Sequence, residues 1–246
     1  MTETAENPTP VVILAGGRSR RLRPLSEEAP KPMLPIGGKP FLQLLMERLA
    51  GLGLRRFILA VCFRWEAIRD FFGDGSAFGW SVEYSVEPRP LGTGGAVLHA
   101  QKLWGARALV LNGDTYLAGD WPAMLAAHEA AALPVTMALV WSERPERFGL
   151  VLLEAGRVVE FLEKQGGGGP ADWVNGGAYV LEASALADYR PGQAFSLERD
   201  VFPSLGGRIA AFPCRDAAFA DIGTVESLEA FRRSQDGPDG TARPRT

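Results

Sequence analysis

A glycine pair followed by a cluster of arginines stands near the beginning of the chain. The segment "ILAGGRSRRLRPL", residues 13–25, runs from an apolar stretch into Gly16 and Gly17 and then into four arginines. Glycines after a strand let backbone N–H groups turn toward an anion, and arginine adds charge-assisted hydrogen bonds to phosphate oxygens. The segment predicts a phosphate site. A tight turn followed by a solvated basic loop is the alternative.

Three further charged residues occur in settings that hold a side chain in place. Prolines surround Lys31 in "APKPMLP" and predict a stiff, extended backbone that fixes its charge. Asp114 follows the apolar run of "LVLNGD", where a carboxylate can bind Mg²⁺, and Asp221 lies between apolar residues in "AFADIGT". Each residue has an ordinary alternative: an exposed loop lysine, an Asx turn at Asp114 and an N-terminal helix cap at Asp221.

Weaker signals occur in several other segments. Glu163 and Lys164 end a predicted strand in "EFLEKQ", and Asn175 precedes a glycine pair in "WVNGGAYVL". The segment "GTGGA", residues 92–96, opens a predicted helix whose first backbone N–H groups can meet an anion. Both histidines lie in predicted helices without Cys or His partners at metal-binding spacing, which argues against a zinc site.

These residues need a scaffold, and the apolar pattern predicts an α/β fold. Up to about residue 133, short apolar strands alternate with segments of helical period, which predicts a Rossmann-like, mostly parallel central sheet with helices on both faces. Beyond that point strands predominate, which predicts a small added β-rich lobe. Ligands of open α/β sheets bind beyond the carboxyl ends of the strands, so "AGGRSRR" and "LNGD" should share one crevice.

Composition limits the class of protein. The chain has 246 residues, 46% of them hydrophobic, which predicts one domain over residues 1–233 followed by a disordered tail over 234–246. A net charge of −3 argues against a nucleic-acid partner, and without an apolar run of about 18 residues we expect no membrane partner. The two cysteines form no metal or redox pattern, which favours a cytoplasmic location.

The order of the motifs resembles that of one enzyme family. "LAGGRSRRLRPL", "KPMLPIGGKPFL", "EPRPLGTGGA", "LNGD", "FLEK", "VNGGAY" and "DIGT" occur in the succession typical of sugar-1-phosphate nucleotidylyltransferases, over residues 11–232. Within that family the chain is most similar to the D-glycero-α-D-manno-heptose-1-phosphate guanylyltransferases. It departs from the family's G-G-x-G-T-R-L loop, because Ser19 and Arg20 replace the usual Gly-Thr.

The resemblance implies that a sugar 1-phosphate attacks the α-phosphorus of a nucleoside triphosphate and releases pyrophosphate, with Mg²⁺ as the cofactor. It implies a nucleotide-binding half over residues 9–133 and a sugar-phosphate-binding half over residues 134–233. The catalytic residues it implies are Arg21, Lys31 and Asp114, and the metal ligands are Asp114 and Asp221. The implied nucleotide-binding residues are Leu14, Ala15, Gly16, Gly17, Arg21, Glu87, Gly92 and Thr93. The implied sugar-phosphate-binding residues are Gly149, Glu163, Lys164 and Asn175.

Glu87 predicts the base. Relatives that use thymine or uracil nucleotides carry Gln at the matching position, which both donates and accepts, whereas an ionised Glu only accepts. Guanine offers two adjacent donors on its Watson–Crick edge, so the sequence predicts GTP as the nucleotide. The alternative is that Glu87 points into solvent.

Three other functions stay open at this point. The first is the same chemistry with mannose 1-phosphate or another hexose 1-phosphate and a different nucleoside triphosphate. The second is a non-catalytic regulatory homologue that binds nucleotide-sugar. A Rossmann oxidoreductase, the third, needs an acidic residue on a second strand about 20 residues beyond the glycines, and that region holds the proline-rich "EEAPKPM" instead. The family often forms dimers or tetramers, so a homo-oligomer is also an expectation.

Overall fold

The computed structural model describes residues 7–17, 22, 30–145, 148–162 and 172–235. The strands found there are β1 (Val11–Leu14), β2 (Pro35–Ile36), β3 (Lys39–Pro40), β4 (Arg56–Val61), β5 (Ser81–Val86), β6 (Arg107–Asn112), β7 (Thr115–Leu117), β8 (Val135–Ser142), β9 (Leu150–Glu154), β10 (Arg157–Leu162), β11 (Asp172–Glu182), β12 (Ile209–Pro213) and β13 (Phe219–Asp221). The α-helices are α1 (Phe41–Gly51), α2 (Trp65–Phe72), α3 (Gly92–His99), α4 (Gln101–Trp104), α5 (Trp121–Ala131), α6 (Phe202–Ser204) and α7 (Val225–Gln235). Tighter or wider helical turns occupy Lys31–Met33, Ser76–Phe78, Ala183–Leu186 and Leu197–Val201.

The main sheet has nine strands in the order β5-β4-β1-β6-β11-β8-β12-β10-β9. Its first four strands are parallel, as the alternation of strands and helices predicts. The residues of β1 show why: Val11, Val12 and Ile13 are all fully buried, as expected for a strand covered on both faces. One apolar cluster fills the space on each face of this sheet.

The second half of the chain does not form a separate β-rich lobe. Strand β11 pairs antiparallel with β6 over Ala178–Glu182 and antiparallel with β8, so the later strands extend the first sheet beyond β6. Because β8 and β12 are parallel while β10 is antiparallel to its neighbours, the sheet is mixed rather than mostly parallel. The physical reason is that β6 would otherwise leave an unpaired apolar edge, and β11 covers it.

Helix α1 shows how local sequence sets an element. Phe41, Leu42, Leu45, Met46 and Leu49 are buried at helical spacing, and the helix ends just before a left-handed glycine. The helical spacing of these apolar residues therefore accounts for the element.

Three local predictions differ from the structure. The predicted helix that residues 92–96 open is divided at Ala100 into α3 and α4. Lys31 begins a 3₁₀ turn instead of lying on extended backbone, although Pro30 before it is extended as its ring requires. Helix α7 continues to Gln235, so the first two residues assigned to the disordered tail, Ser234 and Gln235, belong to its last turn. Residues 236–246 lie outside the described residues.

A buried histidine on α5 lies near the start of β8 and the amino-terminal end of β6. His128 is 1% exposed, with Nδ1 2.8 Å from the Thr136 hydroxyl and Nε2 3.2 Å from Glu182. Glu182 also accepts a hydrogen bond from Arg107; burial acts to raise the pKa of the Glu182 carboxyl, but the hydrogen bonds from Arg107 and His128 lower it below its ordinary value. Burial lowers the pKa of His128 below its ordinary value, and both of its ring nitrogens contact protein side chains, so this histidine is a structural core residue.

No helix within the described ranges is both long and apolar enough to cross a membrane.

Candidate active site

A cavity of about 450 Å³ lies at the carboxyl ends of β1 and β6. Because these strands are parallel neighbours, "AGG" after β1 and "GD" after β6 reach the same edge, and the Gly113 N–H donates to the Leu14 carbonyl at 3.0 Å. The predicted nucleotide-binding and catalytic residues that line this cavity are Leu14, Ala15, Gly16, Gly17, Lys31, Glu87, Gly92, Thr93 and Asp114. Arg21 lies outside the described residues.

The two glycines of the pair have different surroundings: Gly16 packs closely against neighbouring residues, and Gly17 borders open space. A Cβ on Gly16 would lie 2.8 Å from Glu87 Oε1 and 3.2 Å from the Cys62 backbone nitrogen, so a larger residue would displace the glutamate. A Cβ on Gly17 would meet nothing within 4 Å, which leaves its backbone accessible to the cavity. The first glycine therefore fits the loop against Glu87, and the second leaves room for a ligand.

Lys31 is a buried cation and not an exposed loop lysine. Its residue is 7% exposed, and its ammonium lies 2.6 Å from Asp114 Oδ2 and 3.9 Å from Asp221 Oδ1. The Lys31 side chain is buried but that of Asp114 is 42% exposed, so solvent screens part of the attraction between them. The lysine predicted to be catalytic and the two aspartates predicted to hold metal therefore form one cluster.

Asp221 reaches this cluster through a small second sheet. Strand β13 pairs antiparallel with β7, with Asp221 opposite Thr115, and the Ile222 N–H donates to the Asp114 carbonyl at 3.0 Å. The Asp221 carboxylate accepts a hydrogen bond from the Gly223 N–H. It does not cap α7, because the Thr224 hydroxyl accepts the Ser227 N–H at 3.2 Å and performs that task. The capping alternative for Asp221 is thus wrong.

Glu87 points into the protein and not into solvent. Its residue is 7% exposed, and its Oε2 accepts a hydrogen bond from the Leu91 N–H at 2.8 Å. Burial raises the pKa of the Glu87 carboxyl above its ordinary value, while the Leu91 hydrogen bond acts in the opposite direction. Each carboxylate oxygen has two acceptor sites, so the carboxylate retains capacity for a ligand donor in the cavity.

Two backbone N–H groups at the N-terminus of α3 already donate to a carbonyl of this chain. The Gly94 and Gly95 N–H groups donate to the Phe195 carbonyl at 3.1 and 3.2 Å, so these two donors do not meet an anion as the sequence suggested. A Cβ on Gly94 would collide with the Phe195 ring, which explains the small residue there. The contribution of this segment to the cavity comes from Gly92 and Thr93.

Sequence reasoning missed Glu198, which lies between two candidate binding regions. Its Oε2 accepts hydrogen bonds from Thr93 Oγ1 at 2.6 Å and from Ser196 Oγ at 2.8 Å. Its Oε1 lies 3.2 Å from the hydroxyl of fully buried Tyr179, which in turn accepts from Asn175 Nδ2 at 2.7 Å. The local signal was the capping serine of "FSLERD": the Ser196 hydroxyl accepts the Glu198 and Arg199 N–H groups and so fixes the turn.

A smaller cavity of about 170 Å³ adjoins the first. Gly149 and Asn175, two of the predicted sugar-phosphate-binding residues, line it together with Glu198 and Asp221. A Cβ on Gly149 would lie 2.6 Å from the Phe161 ring, so this position needs glycine. The other two predicted residues, Glu163 and Lys164, lie outside the described residues.

The residues present fit a divalent metal that is shared with a substrate. Asp114 and Asp221 both lie within 4 Å of one cationic nitrogen, so one point in the cavity is within reach of two carboxylates. Mg²⁺ is commonly held by one or two carboxylates, with phosphate oxygens and water as the other ligands. Among the described residues, no cluster of three or more His, Cys, Asp or Glu side chains could hold an ion without a substrate. The donor set therefore fits a metal held jointly with phosphates.

Comparison with protein families decides the assignment of the chain. The model of the family described as "Nucleotidyl transferase" matches residues 10–236, nearly the whole chain. The chain belongs to the nucleotidyl transferase family. This confirms the resemblance predicted from the motif order, and enzymes of this family generally use a divalent metal.

Relatives of this nucleotidyl transferase include several guanylyltransferases. A mannose-1-phosphate guanylyltransferase of Mycobacterium tuberculosis is 41% identical over 88% of this chain, which spans only 62% of that protein's length. A D-glycero-α-D-manno-heptose 1-phosphate guanylyltransferase of Campylobacter jejuni is 35% identical over 89% of this chain and 97% of its own. HddC from Yersinia pseudotuberculosis, solved in complex with GMP-PN, superposes with a TM-score of 0.81 at 33% identity, covering 92% of this chain and 98% of its own. The predicted enzyme class agrees with these relatives.

Proposed function

We propose that this nucleotidyl transferase joins GTP to a sugar 1-phosphate and forms a GDP-sugar and pyrophosphate. The observation that carries the proposal is the position of Lys31: its ammonium lies between Asp114 and Asp221, where a nucleotide-sized cavity adjoins a smaller one. Positive charge and metal-binding carboxylates at that junction are what phosphoryl transfer between two bound substrates requires.

The reaction is an in-line displacement. A phosphate oxygen of the sugar 1-phosphate attacks the α-phosphorus of GTP and forms a new P–O bond, while the bond from the α-phosphorus to the bridging oxygen breaks and pyrophosphate leaves with those electrons. Lys31 stabilises the negative charge that develops on the α-phosphate. Asp114 and Asp221 would hold the divalent metal, Mg²⁺ in our proposal, which when bound neutralises phosphate charge and aligns the reacting oxygens.

The remaining positive charge comes from residues outside the described ranges. Arg21, in the arginine-rich segment after the glycine pair, would bind the β- and γ-phosphates, and Lys164 would bind the phosphate of the sugar. Glu163, Gly149 and Asn175 would meet the sugar hydroxyls. The amide of Asn175 already donates to Tyr179 and accepts from the Gly177 N–H at 2.9 Å, so only its second hydrogen and second lone pair serve a ligand.

Guanine selection follows from the buried carboxylate of Glu87. An ionised carboxylate accepts from both the N1–H and the 2-amino group of guanine, which no other common base offers side by side. These donors would replace the water that Glu87 loses by burial. The guanylyltransferase relatives and the GMP-PN complex of HddC support this assignment.

For the sugar we propose D-glycero-α-D-manno-heptose 1-phosphate, with mannose 1-phosphate as the second candidate. Coverage favours the heptose, because the chain extends over 97% of the Campylobacter heptose enzyme. Identity favours mannose, because the Mycobacterium enzyme is 41% identical. The proposal also includes a Rossmann-like nucleotide-binding half over residues 9–133 and a sugar-phosphate-binding half over residues 134–233. It further includes a cytoplasmic location and a homo-oligomer.

A substrate matrix tests the proposal. GTP, ATP, UTP, CTP and dTTP are each combined with the 1-phosphates of manno-heptose, mannose, glucose and N-acetylglucosamine, and pyrophosphate release is measured with Mg²⁺. We expect GTP to be fastest, with one of the two manno sugars. Nucleotide binding without pyrophosphate release from any pair would favour the non-catalytic homologue instead.

A further inference from the structure

Asn112 lies at the boundary of both cavities and is not among the residues assigned above. It is the last residue of β6, opposite Leu14 of β1, and it contributes to the wall of the 450 Å³ cavity and to that of the 170 Å³ cavity. Asp114 follows two residues later. The side chain therefore lies where the two substrates of the proposed reaction would meet.

The amide of Asn112 has an unused acceptor. Its Oδ1 is buried, and within the ranges that the structure describes it accepts no hydrogen bond. Buried acceptors without a partner are rare because each costs free energy, and those that occur in a binding site are commonly satisfied by a ligand.

The Asn112 side-chain amide can also rotate, which changes the direction in which its oxygen points. The terminal torsion of Asn is broad, and rotation about it breaks no hydrogen bond to Oδ1. Gly177, at φ +70°, leaves space beside the amide, since a Cβ there would lie 2.9 Å from Asn112 Nδ2. The glycine is fixed in place by the hydrogen bond from its N–H to Asn175 Oδ1. The oxygen can therefore turn toward either cavity.

The chemistry of the ligands decides which group it meets. Ionised phosphates only accept hydrogen bonds, so the partner of an acceptor must be a hydroxyl. In a sugar 1-phosphate the hydroxyl on C2 is attached to the carbon next to C1, directly beside the phosphate. In the nucleotide, three carbons (C5′, C4′ and C3′) separate the α-phosphate ester oxygen from the nearest ribose hydroxyl, whereas only C1 and C2 do so in the sugar 1-phosphate. At a junction between two phosphates, the C2 hydroxyl is the closer donor.

We propose that Asn112 is a specificity-determining residue that accepts a hydrogen bond from the C2 hydroxyl of the sugar 1-phosphate. This inference rests on the proposed function and refines it. Mannose and the manno-heptose share the axial C2 hydroxyl, whereas glucose carries it equatorially, so the same acceptor serves both candidate sugars and the C2 hydroxyl of glucose lies in a different position.

The test combines a change in the protein with a change in the substrate. Binding of mannose 1-phosphate, glucose 1-phosphate and 2-deoxyglucose 1-phosphate, which lacks the C2 hydroxyl, is measured by calorimetry for the wild type and for Asn112→Leu. We expect the wild type to bind mannose 1-phosphate about 2- to 12-fold more tightly than the deoxy compound, the range of one neutral hydrogen bond. In the variant this ratio should fall to about one.

Controls keep the outcomes distinct. Gln43→Leu makes the same kind of amide-to-apolar change on α1, outside both cavities, and should retain the wild-type ratio. If Asn112→Leu fails to fold, Asn112→Ala provides the same comparison. A ratio near one in the wild type, or an unchanged ratio in the variant, overturns the role of Asn112. Pyrophosphate release is followed in parallel: its absence with GTP, together with a normal binding ratio, overturns the proposed reaction and not the contact.

Discussion

Replacing Glu87 by Gln changes one atom of the side chain and tests how the base is recognised. In the wild type, Oε2 accepts the Leu91 N–H at 2.8 Å, and Oε1 lies beside Gly16 at the wall of the larger cavity. The amide oxygen of Gln can keep the bond to Leu91. Its NH₂ group then occupies the position of Oε1, so a donor faces the cavity where an acceptor was before.

The magnitude follows from the hydrogen bonds that guanine would lose. The N1–H and 2-amino donors of guanine would meet a second donor instead of a carboxylate oxygen. A bidentate contact of this kind discriminates by about 1–3 kcal/mol, so kcat/KM for GTP should fall roughly 5- to 150-fold. UTP and dTTP, whose bases alternate donors and acceptors, should lose less or gain, since Gln suits both functions.

The stability of the variant separates base recognition from damage to the fold. Burial raises the pKa of Glu87 above 4.5, so the folded protein holds this proton more tightly than the unfolded chain does. The free energy of unfolding therefore falls as the pH rises from the unfolded to the folded pKa, and above that interval the ionised Glu87 costs stability. Because Gln carries no charge, the variant should melt at pH 7 at or above the wild-type temperature.

The assay measures kcat/KM by pyrophosphate release for GTP, ATP, UTP, CTP and dTTP. Glu83→Gln is the matched control, because Glu83 lies on β5 near Glu87 but its carboxylate is partly exposed and pairs with Arg56 at 3.2 Å. It should keep the wild-type preference. A Glu87→Gln enzyme that prefers GTP as strongly as the wild type would refute the role of Glu87 in guanine recognition.

Three further predictions concern the charged cluster and the fold. Asp114→Asn and Asp221→Asn should each lower kcat/KM by about 100-fold or more, because each variant removes a metal ligand. The circular dichroism of both variants should be unchanged. Near-normal turnover of Asp221→Asn would exclude Asp221 as a metal ligand. Lys31→Ala should mainly lower kcat, because the Lys31 charge acts on the transition state. Lys164→Ala should mainly raise KM for the sugar phosphate, because the Lys164 charge acts on the bound ground state. Steady-state kinetics that change in the same way for both variants would contradict this division of roles. Burial lowers the pKa of His128 below 6.5. Just below pH 6.5 the unfolded chain therefore binds a proton that the folded protein does not. The free energy of unfolding should rise with pH up to about 6.5 and then level off. Urea denaturation between pH 5 and 8 measures this rise, which should be smaller in His128→Gln; an equal rise in both proteins would assign it to other groups.

The sequence by itself determined the elements of the first half and the edge at which they present ligands. Buried strands alternate with helices there, and parallel strands must place their carboxyl ends together, so the glycine pair and Asp114 were expected in one crevice. Both line the larger cavity. The motif order determined the family, because it combines many individually weak signals, and the family match over residues 10–236 confirms it.

The tertiary structure decided where the second half of the chain lies. The sequence beyond about residue 133 predicts that strands predominate there, but nothing in it states which strand edge β11 covers. It pairs with both β6 and β8, so that one mixed sheet replaces the predicted lobe. Pairing between distant strands depends on the edges left free by the rest of the fold, and a local pattern does not contain that information.

Side-chain environments were also decided by tertiary contacts. Asp221 could equally have capped a helix until the pairing of β13 with β7 brought it to Lys31, and Glu87 could have faced solvent until packing buried it. Near Glu198 the sequence offers only a capping serine, and the turn that Ser196 fixes places Glu198 between Thr93 and Tyr179. Sequence supplies the chemical type of each group, but its charge state and its partners depend on burial and on residues far away along the chain.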